Sequence, residues 1–142
     1  MSRRSKSCLF LVALALIGCK SRESQLAGKW SNGNATVLTL SPDKTFSMPV
    51  YGSAVATGAW SFDGADVTLT TKAIGGKPIE EVKSRFQDLA SRLGSKGTAV
   101  RAVADDLDKP NVFKLSEDGK TLTTDRSVDK NHQPMPTLTK QG

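Results

Sequence analysis

The sequence predicts a mainly β fold, an antiparallel meander forming a small barrel or curved sheet of about six strands, packed with a helix near 78–93. Three observations predict it. A Gly-x-Trp-Ser frame occurs twice, at Gly28-Lys29-Trp30-Ser31 and Gly58-Ala59-Trp60-Ser61. Each copy runs through turn residues, Asn32-Gly33-Asn34 or Asp63-Gly64-Ala65, into an apolar strand start at Val37 or Val67. Around these turns apolar residues recur with period two, and in one internal stretch the period changes to three and four.

Taken in order, Lys20 to Gln25 is polar and reads as a tether, and Leu26-Ala27-Gly28-Lys29-Trp30 opens the domain. Asn-Gly and Asp-Gly supply the positive φ that hairpin turns need. Leu40-Ser41-Pro42-Asp43-Lys44-Thr45-Phe46 and Leu115-Ser116-Glu117-Asp118-Gly119-Lys120-Thr121-Leu122 each read as a strand end, a charged turn and a new strand. Phe46, Met48 and Val50 alternate with polar or turn residues, as do Val67, Leu69 and Thr71, and Phe113 and Leu115. Such alternation puts one set inward and the other toward solvent. Strands are expected near 34–40, 45–51, 56–62, 66–72, 112–116 and 120–124.

Pro78 opens a different segment. Ile79, Val82, Phe86, Leu89 and Leu93 fall on one face of a helix. Glu80 and Glu81 stand in its first turn, Arg92 in its last and Gly94 just beyond, as helix termini prefer. Val100, Val103, Ala104 and Leu107 fit a second short helix. Against it, Asp105, Asp106 and Asp108 crowd the end where the dipole disfavours acids. Residues 131–142, with Pro134 and Pro136, read as a flexible tail or an edge segment.

A chain of 142 residues is one domain of ordinary size. It has two cysteines and one histidine, too few for a zinc module and poorly suited to a Cys–His nucleophile pair. His132, with Asp129 and Met135, lies in the proline-containing tail and reads as a solvated residue, not a metal site. Asp105, Asp106 and Asp108 are too compactly spaced for a calcium loop. Glu80 and Glu81 do not converge as a catalytic carboxylate pair. There is no Gly-x-Ser-x-Gly elbow and no phosphate-binding loop. No cofactor is expected. Trp30 and Trp60 are candidates either for core positions or for a ligand-contacting pair. Their matched places in the repeat favour the core.

The start of the chain reads as an address. Arg3, Arg4 and Lys6 precede an uncharged run from Cys8 to Gly18, shorter than a membrane span and laid out like a secretory signal. Leu16-Ile17-Gly18-Cys19 resembles the lipobox of bacterial lipoproteins. The resemblance implies a signal peptide over 1–18, removal of that segment, and a Cys19 that carries a diacylglycerol and, on its new amine, an acyl group such as palmitate. It implies an anchor and tether over 19–25, one β domain over 26–130 and the tail beyond. Lys20 stands where many such proteins retained at the inner membrane carry Asp, so the implied destination is the outer membrane, in an organism that has one. Without Arg3, Arg4 and Lys6 the formal net charge of +6 falls to +3, which gives little support to nucleic-acid binding. The processed chain keeps no second cysteine for a disulfide.

The two Gly-x-Trp motifs followed by short hairpins are similar to the opening of lipocalins and of small lipocalin-like bacterial lipoproteins. In that group the tryptophan packs across the closed end of the barrel. The likeness covers residues 26–72, with 112–124 a weaker match. The helical insert at 78–108 departs from the family pattern and implies too few strands for a full barrel, which counts against an enclosed cavity. The expected function is that of a non-catalytic, membrane-anchored envelope lipoprotein binding a partner protein or a small apolar ligand. The alternatives are a structural or stress-related surface lipoprotein and a small envelope enzyme acting through carboxylates.

Overall fold

The computed structural model describes residues 21–33, 35–50, 53–124 and 137–142. A one-turn helix, α1 (Arg22–Leu26), leads into strands β1 (Gly28–Asn32), β2 (Ala35–Leu40), β3 (Thr45–Pro49), β4 (Val55–Phe62) and β5 (Asp66–Ile74). A two-residue strand β6 (Lys77–Pro78) precedes helix α2 (Ile79–Leu93), a 3-10 turn at Gly94–Gly97 and helix α3 (Thr98–Asp106). Strands β7 (Asn111–Leu115), β8 (Thr121–Thr123) and β9 (Leu138–Lys140) complete the chain.

The turns set the meander. At the β2–β3 turn Asp43 Oδ1 accepts from Thr45 N at 3.0 Å and from Thr45 Oγ1 at 2.6 Å. At β4–β5 Asp63 Oδ1 accepts from Ala65 N at 2.9 Å and Asp66 N at 2.7 Å. At β7–β8 Asp118 Oδ1 accepts from Ser116 Oγ at 2.6 Å and Lys120 N at 3.0 Å. Each aspartate pairs with the backbone just downstream of it, the local bond that makes Asp a turn residue.

All strand pairs are antiparallel. The order β4-β3-β2-β1-β9-β8-β7-β5 returns to β4 through the β4–β5 pair, so eight strands close into a barrel and β6 is a short spur on β5. Closure leaves the ring without an open edge. The expected class holds, with more strands than the expected six. The helical insert does not remove strands from the barrel, because it sits within the connection from β5 to its neighbour β7. The added strands are β1 and β9. Leu138–Lys140 lies in the stretch read as a tail. It pairs with β1 on one side and β8 on the other, and buries Leu138. Similarly, the stretch read as a tether contains α1, capped by Ser21 Oγ accepting from Ser24 N at 3.2 Å and pinned by a buried Leu26.

Inward positions fill the barrel. Leu26, Trp30, Leu38, Leu40, Phe46, Trp60, Val67, Leu69, Phe113, Leu122 and Leu138 form one buried cluster. An eight-stranded ring is just wide enough for side chains to occupy its interior. Gly58 makes the packing possible. A Cβ there would stand 2.0 Å from the Thr70 carbonyl oxygen and 2.9 Å from Phe46 Cε1, and the strand bulges between Thr57 and Gly58.

Helix α2 starts and stops close to where its sequence signals put it. Gly94, at φ 55°, donates its N–H to the Ser91 carbonyl and ends the helix. The second helix also forms. Lys83 Nζ donates to Asp108 Oδ2 at 2.7 Å and Lys109 Nζ to Asp106 Oδ1 at 2.7 Å, which supplies cations to the acidic end of α3. Gly97 lets the two helices approach, since a Cβ there would meet the Ala90 carbonyl oxygen at 2.1 Å. Ala90 is therefore buried, along with Ile79 and Val82, while Leu89 and Leu93 are 47% and 42% exposed. The apolar stripe of α2 is longer than what covers it.

Candidate functional site

The barrel has two unlike ends. At one, α1 lies across the turns. Arg22 Nη2 donates to the Ser116 carbonyl at 3.1 Å and Nη1 to the Gly64 carbonyl at 3.5 Å. Glu23 pairs with Lys44, and Lys140 Nζ donates to the Gln25 carbonyl. These partners belong to the β2–β3, β4–β5 and β7–β8 turns and to β9. Antiparallel order puts the helical hairpin and the β1–β2 and β3–β4 connections at the opposite end.

Trp30 and Trp60 both lie in the core, fully buried and 4% exposed respectively. Trp30 Nε1 donates to the Leu26 carbonyl at 3.1 Å, and Trp60 Nε1 donates to the Ser41 carbonyl at 2.9 Å. Each indole thus meets its polar requirement inside the protein. Lys44 Nζ lies 4.1 Å from the centroid of the Trp60 ring, and Lys140 Nζ 6.0 Å from that of Trp30. Neither ring is laid open as a stacking platform. A cleft of about 240 Å³ does reach Trp60 from outside, lined by Ser21, Glu23, Ser24, Ala27, Pro42 and Lys44. It lies between α1 and the β2–β3 turn. Lys44 holds the turn at φ 69°, the sole non-glycine positive φ among the described residues.

Among the described residues every resolved carboxyl shift is downward. Lys77 and Arg85 flank Glu81, and the Lys77 hydrogen bond with its charge holds the Glu81 carboxyl below its ordinary value. The Lys83 hydrogen bond does the same for Asp108. Hydrogen bonds from Thr45 to Asp43, from the Asp66 and Ala65 backbone to Asp63, and from Ser116 to Asp118 also lower those carboxyls. Every resolved shift stabilises the ionised form on an exposed side chain, the opposite of what a general acid requires. Among the described residues no three His, Cys, Asp or Glu side chains converge as metal ligands. No described helix is long and apolar enough to cross a membrane.

The expected signal peptide, the lipobox-like Leu16-Ile17-Gly18-Cys19, and His132 with Asp129 and Met135 lie outside the described residues. Sequence reasoning missed the exposed apolar set. Among the described residues Val55, Leu89, Leu93, Val103 and Val112 are the large apolar side chains left open; Leu89, Leu93 and Val103 stand on the helical hairpin and Val55 at the start of β4 on the same end, while Val112 pairs with Thr68 nearer the capped end. The spacing of Leu89 and Leu93 was legible as a helix face, but not the point at which that face runs past its cover. No family model, curated protein or solved structure matches this chain.

Proposed function

We propose that the protein is a non-catalytic envelope lipoprotein, anchored through Cys19, that holds a partner protein against the helical end of its barrel. The observation that carries this reading is the division between a filled interior and an apolar exterior patch. Inward side chains occupy the barrel, which favours a scaffold over a carrier of enclosed cargo. Leu89, Leu93 and Val103 stand open on the hairpin, with Val55 at the start of β4 on the same end. Exposed apolar residues gathered at one place mark interaction surfaces. The downward shifts of the carboxylates support the non-catalytic part of the reading. The lipobox likeness of Leu16-Ile17-Gly18-Cys19 supports the anchor.

Photocrosslinking in intact cells tests it. A photoreactive residue at position 89 or 103 is expected to give a discrete crosslinked product, while one at position 70 on the barrel wall gives none. Leu93→Asp is expected to reduce the product from position 89 by roughly tenfold or more, since a charge at the centre of an apolar contact costs more than 1.4 kcal/mol. Equal background patterns from positions 70 and 89 would contradict the partner surface. A crosslink to a small apolar molecule would replace it with ligand carriage.

A further inference from the structure

We propose that the capped end of the barrel is the face that meets the lipid surface, and that α1 acts as a latch holding the barrel upright, with the helical hairpin turned away. The proposal rests on the lipidation of Cys19 proposed above.

The distance along the chain comes first. Ser21 stands two residues after Cys19. Two extended residues span at most about 7 Å, so Ser21 and α1 stay close to the acylated residue. The second argument is that α1 is not a free leash. Leu26 is buried in the core, and its carbonyl accepts from Trp30 Nε1 at 3.1 Å. Arg22 reaches Ser116 and Gly64, Glu23 pairs with Lys44, and Gln25 accepts from Lys140. These contacts go to three turns and the last strand, all at one end of the barrel. The anchor is therefore fixed to an end and not to a side wall.

Charge then decides how that end meets lipid. Lys44, Lys120 and Lys140 stand there among Asp43, Asp63, Asp66, Glu117 and Asp118, all on or beside the three turns and the last strand. No basic excess draws this end to anionic headgroups. The acyl chains on Cys19 supply the hold, and the mixed charges sit among headgroups of either sign. The other end follows from strand length. β4 has eight residues. At about 3.3 Å per residue and the usual barrel tilt, the hairpin stands on the order of 20 Å above the headgroups. That places Leu89, Leu93 and Val103 beyond the lipid and open to a protein arriving from the aqueous side.

The test uses the purified, acylated full-length protein in vesicles of phosphatidylcholine carrying headgroup-nitroxide lipid. Fluorophores are placed singly through Glu117→Cys, on the β7–β8 turn, and Ser95→Cys, at the hairpin tip. Both residues are exposed. Quenching is expected to be at least threefold stronger at position 117 than at position 95. Replacing a third of the lipid with phosphatidylglycerol, or raising the salt, is expected to change that ratio by less than twofold. Arg22→Ala combined with Lys44→Ala loosens the latch and is expected to bring the two positions toward equal quenching, with circular dichroism checking that the barrel stays folded. Equal quenching in the unaltered protein, or stronger quenching at position 95, overturns the orientation while leaving the anchor in place. An amino-terminal peptide without acyl mass overturns the anchor and this inference together.

Discussion

Removal of residues 137–142 is expected to destroy the cooperative unfolding transition or lower its midpoint by about 10 °C or more. Strand β9 is only three residues long, but it closes the ring. It aligns Lys140 with Trp30 and Thr139 with Ser31 on one side, and Leu138 with Leu122 and Thr139 with Thr121 on the other. Gln141 N donates to the Lys29 carbonyl at 2.8 Å, and Lys140 fastens α1. Burying Leu138 contributes about 2 kcal/mol, and each backbone bond adds a net contribution of about 1 kcal/mol. Domains of this size have about 5–15 kcal/mol of stability in total, so the loss is a large part of it. Truncation also opens two strand edges, β1 and β8, and aggregation is expected to accompany unfolding. Thermal melts followed by circular dichroism and light scattering check this. A midpoint within about 2 °C of the full chain would mean that β9 does not close the barrel.

Trp30→Ala and Trp60→Ala are each expected to cost about 3–5 kcal/mol in urea unfolding of the domain. Both rings are buried, and both indole N–H groups bond to carbonyls of the same chain. Removal leaves a cavity and takes away the indole donor, from the buried Leu26 carbonyl for Trp30 and from the Ser41 carbonyl, which keeps the Lys44 N–H at 3.1 Å, for Trp60. Trp30→Ala also releases the Leu26 carbonyl and with it one tie between α1 and the barrel. Trp→Phe at either position keeps most of the volume and loses the hydrogen bond, so a smaller cost of about 1–2 kcal/mol is expected. A loss below about 1 kcal/mol for the alanine variant would place that indole outside the core and restore the stacking-platform reading.

The two tryptophans show what local sequence carries. The Gly-x-Trp frame, the Asp-containing turns and the period-two runs are local signals, and they locate six of the strands. The 79–93 helix is local too, since its caps and its apolar spacing lie within one segment. The missing pieces depend on partners distant in sequence. In β1 the register shifts between Trp30 and Ser31, so neighbours of unlike polarity are both buried and alternation fails. In β9 a single buried residue, Leu138, gives no periodicity to read. In α1 one turn with one buried leucine is too short to register as a helix. The candidate surface is legible only by half. Spacing puts Leu89 and Leu93 on one helix face, but their exposure follows from where the barrel ends and from Gly97 drawing α3 against Ala90. The acids at the end of α3 argued against that helix in sequence. Lys83, twenty-five residues away from Asp108, is what balances them.

Closure between the first and last strands is the claim on which the filled interior, the two unlike ends and the placement of the partner surface all depend. Proton NOE spectroscopy of the isotope-labelled, lipid-free domain measures it directly. The account predicts cross-strand contacts between Ser31 and Thr139 and between Leu122 and Leu138, with slow amide exchange along β1 and β8. Absence of both contacts, with β1 and β8 exchanging as fast as open edges, would contradict it.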